Sequence, residues 1–332
     1  MPTLDLGPVY PNASAPPSME VEWPEIEGLP VLYRTVFQSM EVEGLPEQLQ
    51  VGKVMLLQTQ GPLVTRRVDI AQRPEARLIW DKTVYQGLLL GAGIPLTACH
   101  LPVVLPTGEQ QRAQFATWRD EIFSAAGVLV ALLDDRVAQR EVFEDFLIFE
   151  GTEWFGIADR VGNVRNFLPF PLTDSDQADL GQLESFAVAE NVQVAARWYL
   201  RGAQTGPAAD GIPLFWTALE AIVGAEGRQV VRQVEDALQA AGEDPTALAP
   251  SVGRLFGLRA EIVHQGHVDL GPAVEGWYVL EKICRMLLRH ELGLALASWP
   301  VAPGDASGLS EDVIAEREAP HETVWHSPED WL

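Results

Sequence analysis

The stretch "LFGLRAEIVHQGHVDLG" at residues 255–271 sets two groups capable of chemistry on one apolar helix. Arg259 is a cation at any physiological pH, and the imidazole of His264 gains and loses a proton near neutrality. At 100° per residue from Val252, Leu255 falls at about 300°, Phe256 at about 40°, Ile262 at about 280° and Val263 at about 20°. Arg259, at about 340°, lies in the middle of that stripe, while Arg254 and Glu261, at about 200° and 180°, face the other way. A guanidinium cannot escape burial by losing its proton, so the position demands an acidic partner or a polar cleft. The same count on the last helix, from Val274, places Glu281 at about 340° among Trp277, Tyr278, Cys284, Leu288 and Leu292. Glu281 is therefore the expected partner of Arg259. Glu220, flanking the stripe of Ile212, Phe215, Trp216, Leu219, Ile222 and Val223, is the runner-up. Arg285 and Arg289 lie near the Glu281 face and either add positive charge to a cleft or pair with neighbouring acids. His264 stands about 140° around and about 7.5 Å along from Arg259 on an ideal helix. The two converge only if the helix ends between them, with Gly266 as its natural stop, or if two copies of the motif face each other in a dimer.

Other chemistry-bearing residues read as structure. His264 and His267 form an HxxH pair without a third ligand at metal spacing. Cys99 and His100 are neighbours that a strand points to opposite faces, which reads as ordinary core and edge. Glu144, Asp145, Glu150 and Glu153 have the residue type of a carboxylate pair but no cleft pattern, and read as a solvated strand face with a turn. "GLLLGAG" at 87–93 lacks the Lys-Ser/Thr of a phosphate loop and the full dinucleotide fingerprint. No cofactor or metal site is expected.

These groups need elements to hold them. Residues 1–30, rich in proline and acid and without periodicity, are expected as an irregular surface arm. "PVLYRTVF", "QVGKVMLLQT", "GPLVTRRVDI" and "ARLIWDKTVY" are strand-like, "TGEQQRAQFATWRDEIFSAAGVLVALLDD" is helical with Thr107 as N-cap, and "EVFEDFLIFEGTEWFGIADRV" alternates as two strands. Residues 31–172 thus form a mixed α and β domain. From residue 176 to 298 the pattern is helical, with expected stops at Gly224, Gly242 and Gly266 and Pro272 in a first turn, giving five or six antiparallel helices in a bundle. Residues 299–332 are an acidic tail. The class is α+β: a mixed α/β N-terminal domain followed by an all-α antiparallel helical bundle.

Arg259 and His264 at the close of a helix, "IVHQG" after them and "LFWTALEAIVG" two helices upstream resemble the HEPN superfamily, over residues 180–296. The pattern departs at Ala260, where the family has a polar residue. The resemblance implies a metal-independent endoribonuclease whose two motifs meet across a homodimer. His264 would move or position the 2′-hydroxyl proton and Arg259 would hold the phosphate, with Glu281, Glu220 and Arg285 in support. It equally implies the alternative of an inactive bundle serving dimerisation or ligand binding. The N-terminal domain would then sense a ligand or partner, in a defence or stress response.

Composition narrows these readings. A net charge of −24 over 332 residues argues against sequence-independent binding along a phosphate backbone, so RNA would have to be met locally. Two distant cysteines and no apolar run long enough to span a bilayer point to a cytoplasmic, unprocessed chain with no membrane contact.

Overall fold

A computed structural model describes residues 3–7, 9–10, 17–40, 42–60, 64–65, 87–88, 95–106, 111–133, 137–150, 153–161, 170–171, 174–183, 188–205, 207–266 and 268–294. The chain mixes an N-terminal β-sheet region with several helices. The described residues fall into two compact units, 3–122 with 137–183 and 123–133 with 188–294. Thr107, His267 and the 299–332 tail, all singled out above, lie outside the described residues.

The first unit opens with β1 (Thr3–Asp5) and β2 (Ser18–Glu20), which pair antiparallel. β3 (Gly28–Gln38), β4 (Val42–Glu43), β5 (Gln48–Val51), β6 (Val54–Gln60), β7 (Val64–Thr65), β8 (Gly87–Leu88) and β9 (Pro95–Pro106) follow, then α1 (Gln111–Leu133), β10 (Arg140–Glu150), β11 (Glu153–Val161), β12 (Phe170–Pro171) and α2 (Asp174–Leu183). Six strands form one sheet in the order β11-β10-β3-β9-β6-β5, every neighbouring pair antiparallel. Directly paired residues share a face. One face carries Leu32, Val36, Leu57, Leu96, Ala98 and Leu147 and is covered by Leu4, Leu6, Val9, Tyr10, Met19 and Val21. Within the segment expected as a surface arm these six residues are thus core, while the described residues 22–30 are exposed or half-buried. Its apolar residues are spaced singly among prolines and acids, so periodicity did not reveal them. The opposite face carries Tyr33 and Phe146, against which Phe115 and Trp118 of α1 pack with ring centroids 5.6 and 6.1 Å away.

The second unit holds the last part of α1 with α3 (Glu190–Gln204), α4 (Ala208–Val223), α5 (Gln229–Ala240), α6 (Val252–Gln265) and α7 (Leu270–Glu291). From Ile122 to Leu133 the α1 side chains are apolar almost all round and buried, which suits a helix surrounded by others. A methyl group on Gly127 would run into the Ala196 carbonyl, so α1 and α3 cross at near-backbone contact. Phe215 of α4 packs edge-on to Trp277 of α7, at 5.2 Å between centroids.

Two arginines of α7 finish α1. Arg289 Nη1 donates to the Leu132 carbonyl at 2.7 Å, and Arg285 Nε donates to that of Ala131 at 3.1 Å. The last carbonyls of a helix have no partner within it, and a cation there also meets the negative end of the dipole. Arg289 is buried, so Arg289→Ala leaves that carbonyl only the longer Arg285 Nη2 bond at 3.4 Å and should cost about 1–3 kcal/mol, with Arg289→Lys recovering part. Urea unfolding measures both, and an Ala variant as stable as the parent would contradict the capping role.

Candidate functional site on the sixth helix

Ser251 caps α6, its hydroxyl accepting from the Arg254 amide at 3.4 Å, and Gly266 ends it in the left-handed region at φ 68°. The stop therefore falls after His264 and not between the two candidate residues. Arg259 and His264 stay on one continuous helix, about 140° apart, and do not converge within a single chain.

Burial on α6 also differs from the expected stripe. Val252, Leu255 and Leu258 are its buried residues, and Val263 is 50% exposed. The buried arc is turned towards Leu258 because Gly276 of α7 has no side chain. The Leu258 methyl occupies the place where a Cβ at residue 276 would stand. Arg259, between Leu255 and Val252 in angle, sits half-buried where burial along α6 gives way to exposure, one turn beyond Phe256, which packs on Trp216 at 5.4 Å.

The expected ion pair is not made. Glu281 accepts the Tyr199 hydroxyl at 2.7 Å, so its carboxylate is directed to α3. Glu220 is half-buried on α4, and neither glutamate reaches Arg259. Arg259 has no hydrogen bond or ion pair among the described residues, and its Nε–H is buried without an acceptor. Arg285, expected near this site, is directed to the α1 carbonyls. His264 is exposed in the last turn of α6. Of the five predicted residues, the fold places Arg259 and His264 on one helix and Glu281 and Arg285 on another, without joining them into one constellation.

A second polar arrangement lies in the sheet unit, where the sequence reading expected solvated carboxylates. Glu144 and Asp145 are 1% and 0% exposed, and alternation sends them to opposite faces. Both faces are covered, so each acid needs a partner. Glu144 accepts the Tyr33 hydroxyl and lies 3.5 Å from Arg119 Nε, while Arg119 also pairs with Glu141. Asp145 takes Arg34 in a two-pronged pair, with Nε and Nη2 each at 2.7 Å. Registers Asp145↔Arg34, Arg34↔His100 and Met55↔His100 place these residues in one row across β10, β3, β9 and β6. Tyr10 closes the row from above, its hydroxyl 3.2 Å from Arg34 Nη1 and 2.5 Å from His100 Nε2. Arg34 and Tyr10 were not singled out in the sequence. The charged Arg34 inside "VLYRTVF" is the signal that points to the first of them.

Burial, with the Arg34 cation adding to it, pushes the His100 imidazole down to about 3, and burial raises the Tyr10 phenol to about 12. Both are neutral at physiological pH. The phenol oxygen accepts from Arg34, and in the tautomer with the imidazole proton on Nδ1 its own hydrogen goes to Nε2. An unfolded His100 binds a proton below about 6.5, the folded one only near 3, so in that window the unfolded chain holds more protons and stability is lost as the pH is lowered. Between about pH 7 and 5 this removes about 2 kcal/mol. His100→Gln should show a correspondingly shallower pH slope in urea unfolding, and equal slopes would refute the assignment.

Among the described residues no group of three or more His, Cys, Asp and Glu is placed to hold a metal ion, and no helix is long and apolar enough to cross a membrane. Compared with family models, curated proteins and solved structures, the chain matches none.

Proposed function

We propose that the helical unit is a HEPN-like bundle acting as a metal-independent endoribonuclease, assembled as a homodimer in the cytoplasm and regulated through the sheet unit. One observation carries the reading: Arg259 keeps a half-buried guanidinium with no acceptor of its own among the described residues. A structural arginine would be neutralised by a carboxylate, and the two nearest candidates in sequence pattern do not reach it. A phosphodiester supplies the missing acceptor, and the fork geometry of guanidinium suits two phosphate oxygens.

The chemistry then needs a proton carrier. In RNA cleavage the 2′-hydroxyl oxygen attacks phosphorus and loses its proton, while the 5′-oxygen leaves and takes one up; the products are a 2′,3′-cyclic phosphate and a 5′-hydroxyl. An imidazole serves the proton transfers and a guanidinium steadies the charge gathering on the phosphorane. His264 of the same chain points elsewhere on α6, so the proposed site pairs Arg259 of one copy with His264 of a second. The low density of positive charge confines RNA contact to this spot.

A second reading is a non-catalytic bundle used for dimerisation or ligand binding. Ala260 favours it, because no polar side chain stands beside the arginine to orient a substrate. Incubating the purified full chain with total and transfer RNA in chelator separates the two. Cleavage leaving 2′,3′-cyclic ends supports the enzyme; binding of RNA or dimerisation without cleavage supports the second reading.

A further inference from the structure

The residues covering the sheet in the first unit are attached to it in an unusual way. β1 and β2 pair only with each other, and among the described residues no main-chain hydrogen bond joins 3–10 or 17–20 to the six-stranded sheet. The cover is held by apolar packing, by Gln48 donating to the Ser18 carbonyl at 2.6 Å, and by the Tyr10 hydroxyl seated on Arg34 and His100. Removing it breaks no strand ladder.

Beneath Tyr10 lies a polar floor. Asp145 fixes the Arg34 guanidinium through two of its nitrogens, leaving Nη1 to donate upward, and His100 Nε2 stands 2.5 Å from the same phenol oxygen, its Nδ1 buried without a partner among the described residues. With the imidazole proton on Nδ1, the floor offers one donor and one acceptor side by side, the complement of a single hydroxyl group. Around them the face is apolar, formed by Leu32, Val36, Met55 and Leu57. Beside the row lies a cavity of about 190 Å³ lined by Leu4, Trp23, Leu29, Pro30, Val31, Leu32 and Leu147. Leu32 and Leu147 are paired and stand two residues from Arg34 and Asp145 on the same face, which is about 7 Å along the strands.

We propose that this face is a ligand site whose resident occupant is the chain's own Tyr10: the sheet unit takes a small apolar molecule bearing one hydroxyl, of the phenol class, which enters at the cavity and displaces Tyr10 from Arg34 and His100. Displacement frees the cover, and this is the change by which the unit registers its ligand. An anion is not the matching ligand, because Asp145 already neutralises Arg34 and a neutral imidazole nitrogen repels a second lone pair. The inference does not depend on ribonuclease chemistry, and its readouts use no RNA.

The test uses the full chain with 4-methylphenol and, as a probe of similar shape without the hydroxyl, toluene. Tyr10→Ala empties the seat. It should melt lower than the parent and be restored saturably by 4-methylphenol, with toluene about tenfold weaker, the worth of the hydroxyl's hydrogen bonds. If Tyr10→Ala does not fold alone, refolding in 4-methylphenol and not in toluene is the same result. In the parent protein, 4-methylphenol and not toluene should speed hydrogen exchange at the Leu6, Val9 and Tyr10 amides. Equal effects of the two probes on Tyr10→Ala, rescue by neither, or parent exchange unchanged by 4-methylphenol would each overturn the proposal.

Discussion

Asp145→Ala is expected to destabilise the sheet unit by about 3–5 kcal/mol, among the largest effects of any single substitution in the chain. The reason is what the substitution leaves behind. Arg34 is 1% exposed, is a permanent cation, and loses the partner that holds two of its nitrogens. It cannot neutralise by releasing a proton, and Tyr10 and His100 beside it are neutral. A large part of the cost is thus the desolvated charge and not the bond itself. The control is the double substitution Arg34→Met with Asp145→Leu. Removing both charges and keeping the volume should restore most of the loss, since a buried pair is often no more stable than a well-packed apolar one. Urea unfolding of the parent, the single and the double variants gives the three numbers. A single variant within about 1 kcal/mol of the parent would show that water reaches Arg34. Because Tyr10 rests on the same guanidinium, Asp145→Ala should also loosen the N-terminal cover, and hydrogen exchange at Leu6 and Tyr10 follows that separately.

Arg259→Ala and His264→Ala are expected to do the reverse, abolishing activity while leaving stability almost untouched. On the proposed function each should lower RNA cleavage by about 100-fold or more, the usual loss when a charge stabiliser or a general acid-base group is removed. Arg259 gives up no hydrogen bond or ion pair among the described residues, so its loss should cost less than about 1 kcal/mol and can even relieve a poorly solvated charge. His264 is exposed, and surface substitutions usually change stability by about 0.5 kcal/mol or less. If the proposed site is shared between two copies, mixing the two inactive variants restores part of the activity, because some mixed dimers hold one intact Arg259–His264 pair. Cleavage that survives in both variants would remove α6 from the mechanism. A marked fall in melting temperature for Arg259→Ala would instead mean that the arginine has a structural partner.

The elements that read clearly in the sequence are those governed by local rules. Gly224 and Gly266 end α4 and α6 in the left-handed conformation that glycine adopts without penalty, and Pro272 sits in the first turn of α7. The β-branched and aromatic runs of "PVLYRTVF" and "EVFEDFLIFE" became β3 and β10. The helical texture after residue 188 likewise became α3 to α7. What failed were inferences about partners. Arg259 and Glu281 occupy equivalent angles on their own helices, yet an angle about one axis does not say which neighbour that side of the helix meets. Glu281 meets Tyr199, Gly276 admits Leu258, and burial along α6 fades after Leu258, where Arg259 begins the more exposed end. Glu144 and Asp145 were misjudged for a related reason: a charged pair on a strand is normally a solvated edge, and only the two layers on opposite faces of this sheet bury them both.

By itself the sequence determined the element types, several of their ends, and the presence of an arginine that had to be explained. These follow from backbone sterics and from the period of apolar residues, which act over a few neighbours. Tertiary structure decided which charges are satisfied. It brought Tyr10, Arg34, His100 and Asp145 together from four distant places in the chain, and it left Arg259 without an acceptor among the described residues. Charge satisfaction depends on groups brought within about 3 Å by the pairing of remote strands and helices, and no local pattern carries that distance.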